Sequence, residues 1–81
     1  MKSIDIIVPF YNEEEVIGDF LEALKAETYE IKSNNSEIEF NFIFVDNGSV
    51  DDTYNILSRF GKEFKNLTLV KLIRNFDIDG G

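Results

Sequence analysis

An α/β fold built on a parallel sheet is what this sequence predicts, on three observations. Short runs rich in β-branched and aromatic residues recur at Ile4 to Val8, Phe40 to Val45 and Leu67 to Ile73. Helix-period apolar patterns occupy the two intervals between them. The connections are short and rich in turn formers. Strands and helices that alternate in this way call for parallel strands joined by right-handed crossovers.

The first run, Ile4 to Val8, is nearly continuous in apolar residues, as in a strand covered on both faces, and Pro9 is expected to end it. Asn12 stands three residues before Glu15, a variant of the capping box, and Glu13, Glu14 and Glu15 fall where a helix dipole favours acids. A helix is therefore expected from this point, with Val16, Ile17, Phe20, Leu21 and Leu24 on its buried face. The segment from Lys32 to Glu37 reads as a loop. Phe40 to Val45 reads as a second buried strand, broken by Asp46-Asn47-Gly48-Ser49.

Ser49 is placed to cap the second helix, with Asp52 at its third position and Val50, Tyr54, Leu57, Gly61 and Phe64 at helical spacing. Leu67 to Ile73 supplies the third strand, and the terminal "DIDGG" has the composition of a loop leading onward. The order β-α-β-α-β makes a Rossmann-like half-domain, one compact unit over residues 1–81.

Composition narrows the function classes. Sixteen acids against eight bases give a net charge of -8, which repels nucleic-acid phosphates and anionic membrane surfaces. A small anionic ligand stays compatible, because backbone N–H groups and a bridging cation hold phosphates locally. The chain has neither cysteine nor histidine, which removes disulfides, thiolate metal sites and Ser-His or Cys-His catalysis. No stretch reaches the roughly 18 apolar residues of a membrane helix, and the expected location is the cytoplasm.

In an open parallel sheet, ligands bind beyond the carboxyl ends of the strands. Three polar clusters fall there: Pro9 to Glu13, Asp46 to Ser49, and Arg74 to Asp77. Tyr11 admits two readings, a flat ring stacked on a base or a ring packed over the neighbouring loop. The run of glutamates supports the helix dipole, with Glu13 nearest the crevice. Asp46 can accept hydrogen bonds from a ligand or from loop N–H groups, and Asp-Asn-Gly-Ser is also an ordinary connector. Neither G-x-G-x-x-G after the first strand nor G-K-[ST] is present, so both the dinucleotide fingerprint and the P-loop are missing.

"IIVPFYNEEEVI", followed by "FIFVDNGSVDDT" and then "VKLIRNF", resembles the N-terminal half of the family-2 inverting glycosyltransferases. Their pattern runs approximately P-x-Y-N-E, V-D-D-G-S-x-D-x-T, R-N-x-G. The match spans nearly all of the chain, and the order and spacing of the three fragments carry more than any one of them. The similarity extends to polyprenyl-phosphate sugar transferases and related enzymes of cell-envelope or glycan biosynthesis.

This resemblance implies the GT-A fold, a nucleoside-diphosphate-sugar donor, an acceptor of unknown identity and transfer with inversion. Pro9 and Tyr11 match positions that line the base and stack on it, and Glu13 matches an acid near the nucleoside. Asp46 and Asn47 match the paired aspartates that contact base and ribose, with Ser49 in the same binding loop. Arg74 and Asn75 match the "RN" that shapes the donor pocket. Asn47 departs from the usual second aspartate and Asp77 from the usual glycine, which affects nucleotide preference and loop backbone respectively.

The family's metal-binding D-x-D and catalytic base lie beyond the third strand. Mg²⁺ or Mn²⁺ is thus expected of the full-length enzyme, with no metal ligand or catalytic residue assigned in this chain. The expectation is a truncated transferase, inactive alone and self-associating through its first strand. The alternative is a non-catalytic module that binds nucleotide or pairs with a partner.

Overall fold

The computed structural model describes residues 1–73. Within them β1 (Lys2–Phe10), α1 (Ile17–Asn34), β2 (Ile38–Asp46), α2 (Thr53–Phe60), a 3₁₀ turn at Gly61–Glu63 and β3 (Leu67–Lys71) follow in order. The strands form one parallel sheet in the order β1-β2-β3. The alternation read from the sequence is therefore the observed architecture, a Rossmann-like α/β half-domain. Its strand ends are level, with Phe10 in register with Asp46 and Asp46 in register with Lys71.

Pro9 does not end β1. The strand continues to Phe10, with Pro9 in register with Val45. The ladder explains why this is tolerated. Lys2 N–H donates to Glu37 O and Asn47 N–H donates to Phe10 O, each at 2.8 Å. The even-numbered peptide groups of β1 therefore face β2 and the odd-numbered ones face away. The nitrogen of Pro9 points to the free edge, where no ladder donor is missed.

The core lies on one face of the sheet. Phe10, Phe42 and Phe44 alternate inward and meet Ile17 and Leu21 of α1, Leu57 of α2 and Phe64 beyond the 3₁₀ turn, all buried. Phe64 joins the strand aromatics edge to face, with ring centroids 4.8 Å from Phe42 and 5.3 Å from Phe44. Each such pair contributes about 0.5–1.5 kcal/mol beyond the area it buries. Coverage of β1 on both faces is not observed among the described residues, where Ile7, on the face away from the helices, is 64% exposed. Successive right-handed crossovers in one direction along the sheet place both helices on the same side.

Several element ends differ from the sequence reading. α1 begins at Ile17 with no side-chain cap, so the Asn12–Glu15 capping box does not form. Val16 and Phe20 are half exposed, and Ile17, Leu21 and Thr28 are the buried positions of α1. The helix also absorbs Lys32 to Asn34 of the expected loop, where Lys32 Nζ donates to Ile38 O at 2.7 Å and so ties the last turn to β2. α2 begins at Thr53 without a cap from Ser49 and stops at Phe60, leaving Gly61 in the 3₁₀ turn and Phe64 past it. Val50 is 82% exposed, and Leu72 and Ile73 lie past the end of β3. No helix among the described residues is long and apolar enough to cross a membrane.

Candidate functional site

The carboxyl edge of the sheet presents the row Phe10, Asp46 and Lys71. Above it lie two loops, Tyr11 to Val16 and Asn47 to Asp52. Gly48 turns the second loop with φ 85°, a backbone open to glycine at little cost.

The loops are bound to each other through backbone donors and side-chain acceptors. Asn12 N–H donates to Ser49 Oγ at 2.8 Å, Glu13 N–H to Thr53 Oγ1 at 2.8 Å, and Glu14 N–H to Asp51 Oδ2 at 3.3 Å. Two bonds return in the other direction. Val50 N–H donates to Asn12 Oδ1 at 2.9 Å and Asp52 N–H to Glu14 Oε1 at 2.7 Å. Asn12 reaches this arrangement with φ 49°, a left-handed conformation that asparagine adopts more readily than most residues.

Asp51 also accepts the N–H and hydroxyl of Thr53 on Oδ1. Desolvation pushes its carboxyl up, but the hydrogen bonds from Thr53 and from Glu14 N–H outweigh it and hold Asp51 below its ordinary range.

Asp46 has a different environment. It is fully buried, and neither carboxylate oxygen has a hydrogen-bond partner among the described residues. A buried carboxylate without partners is costly, and native structures rarely leave one without a reason.

The other residues singled out by the sequence gather around this edge. Tyr11 is 43% exposed, one position past β1. Pro9 is exposed on the sheet face opposite the helices. The Glu13 side chain is exposed, and its carbonyl accepts the N–H groups of Val16 and Ile17 at 3.0 and 2.9 Å. Asn47 has an exposed side chain and a backbone tied to β1, while Ser49 is half-buried between the loops. Arg74, with Asn75 and Asp77, lies outside the described residues.

Sequence reasoning missed Asn12, Glu14, Asp51 and Thr53 as the groups joining the loops. The available signal was the alternation of Ser49, Asp51 and Thr53, whose oxygens face three successive N–H groups.

A cavity of about 310 Å³ opens beside the loops, lined by Asn12, Glu13, Glu14, Glu15, Val16 and Asp51. Its carboxylates make it a poor seat for a diphosphate. Among the described residues no group of three or more acids is placed to hold a metal ion. The cation that the resemblance implies therefore has no fitting ligand set there.

Comparison with known proteins gives one family. The sequence model described as Glycosyl transferase family 2 matches residues 5–81. No curated protein and no solved structure matches.

Proposed function

The chain belongs to glycosyl transferase family 2, and from that premise we propose that its carboxyl edge is the nucleotide-binding half of a GT-A donor site. The observation that carries this reading is Asp46, buried at the end of the middle strand with both oxygens unpartnered among the described residues. A nucleobase or ribose supplies donors that such a carboxylate lacks. Tyr11, exposed one residue past β1, is the platform for the base. Asn47 contacts the ligand through an amide that both donates and accepts, and Pro9 and Glu13 complete the surround; Arg74 joins this reading through its match to the family motif alone.

The reaction proposed for the full-length protein is transfer with inversion. The acceptor oxygen forms its bond to the anomeric carbon as the bond to the diphosphate oxygen breaks, and the acceptor proton passes to a base. None of the described residues is assigned as that base. We further propose that the activity serves glycan or cell-envelope synthesis at the cytoplasmic side, a reading supported by the resemblance of the three motifs to polyprenyl-phosphate sugar transferases. Mg²⁺ or Mn²⁺ enters only as a component to be tested, since no ligand set for it stands among the described residues. Self-association through the free edge of β1 belongs to the same proposal.

The experiment is calorimetric titration of the chain with UDP, GDP, CDP and dTDP, with and without Mn²⁺, repeated on Asp46→Asn and Asn47→Asp. One nucleotide is expected to bind best, Asp46→Asn to weaken it about tenfold or more, and Asn47→Asp to reorder the series. Equal affinities in all three proteins would remove Asp46 and Asn47 from the site.

A further inference from the structure

Ser49, Asp51 and Thr53 occupy alternate positions, and their oxygens accept three successive N–H groups: Asn12 N–H to Ser49 Oγ at 2.8 Å, Glu13 N–H to Thr53 Oγ1 at 2.8 Å and Glu14 N–H to Asp51 Oδ2 at 3.3 Å. We infer that these three are positioning residues, a clasp that holds the first loop and fixes Tyr11 just past the end of β1. The inference rests on the nucleotide reading above for what Tyr11 is positioned to do.

The geometry brackets Tyr11 from both sides. Before it, Phe10 O accepts Asn47 N–H at 2.8 Å, and after it Asn12 is bonded in both directions to Ser49 and Val50. Tyr11 is thus tied to the second loop through each of its chain neighbours. Asn12 keeps its left-handed φ of 49° within this pair of bonds. Thr53 is fully buried and acts as a link, accepting Glu13 N–H and donating its hydroxyl to Asp51.

Glu14 and Asp51 spend their carboxylates on Asp52 N–H and on the N–H groups of Glu14 and Thr53. Both acids are accounted for within the clasp, with no ligand required. Loop backbone that would otherwise sample many conformations is instead held in one before ligand arrives, which lowers the ordering cost of binding.

The test combines amide-resolved hydrogen exchange with nucleotide titration on the whole chain, using UDP, GDP, CDP and dTDP as probes. Thr53→Val keeps shape and removes the hydroxyl, and Thr53→Ser restores it. Exchange at Glu13 is expected to accelerate about tenfold in Thr53→Val and to recover in Thr53→Ser, and exchange at Asn12 to accelerate similarly in Ser49→Ala. Affinity for the preferred nucleotide should fall in Ser49→Ala and fall no further when that change is added to Tyr11→Ala.

Unchanged exchange at Asn12 and Glu13 would overturn the clasp. Additive losses in the double variant would show Ser49 touching the ligand itself and would overturn the positioning role. If Tyr11→Ala alone leaves every affinity unchanged, the base-platform reading fails, while the exchange rates still decide the clasp.

Discussion

Tyr11 stands between a strand end anchored by Asn47 N–H and a loop anchored by Ser49, with 43% of its surface exposed. None of these anchors uses its ring. Truncation in Tyr11→Ala should weaken nucleotide binding by about 1–3 kcal/mol, the usual worth of stacking on an aromatic ring. A large loss of stability with affinity intact would make the ring a packing residue. Tyr11 and Asp46 could be singled out from sequence because each sits at a strand end, and strand ends converge on one edge in this fold. Asn12 and Ser49 were misread as caps. A short polar side chain before a helix has the same sequence signature whether it binds an N–H three residues ahead or one on another loop. Here the partners are 37 and 38 residues apart in the chain.

At the scale of elements, the three strands and two helices were legible from their apolar periods, and their ends were not. α1 starts at Ile17 because Asn12, whose side chain would cap it earlier, bonds across to the second loop instead. β1 runs through Pro9 because its nitrogen faces away from β2. That parity decides which substitution tests the free edge. The N–H of Ile7 faces outward with those of Ser3 and Asp5, whereas the N–H of Ile6 faces β2. Among the described residues no strand pairs with these donors, and such an edge is a template for another strand. Ile7→Pro is expected to convert a concentration-dependent dimer to monomer in sedimentation and to leave the fold intact. Ile6→Pro should instead damage the β1–β2 ladder and lower the melting temperature. A wild-type chain that sediments as a monomer at high micromolar concentration contradicts self-pairing through β1.

Across the whole molecule, the helices cover one face of the sheet and the polar loops gather at one edge. The opposite face carries Asp5, Ile7, Asn41, Ile43 and Val45, and apart from the hydrogen bond between Asn41 Nδ2 and Asp5 its middle is apolar. The amphipathic helix patterns predicted the covered face. The exposed face could not be told from sequence, because β-branched runs look alike whether one or two layers cover them. With a net charge of -8, the chain attracts no polyanion through its overall field, so an anionic nucleotide must be held by local groups. The central claim is that these groups lie at the carboxyl edge around Asp46. The most direct measurement is a residue-resolved ¹H–¹⁵N titration of the chain with its preferred nucleoside diphosphate. Shifts concentrated at Tyr11 to Glu13 and Asp46 to Ser49, saturating together, are the expected result. Saturable shifts confined to the opposite end of the sheet, around Lys32 and Glu39, would contradict it.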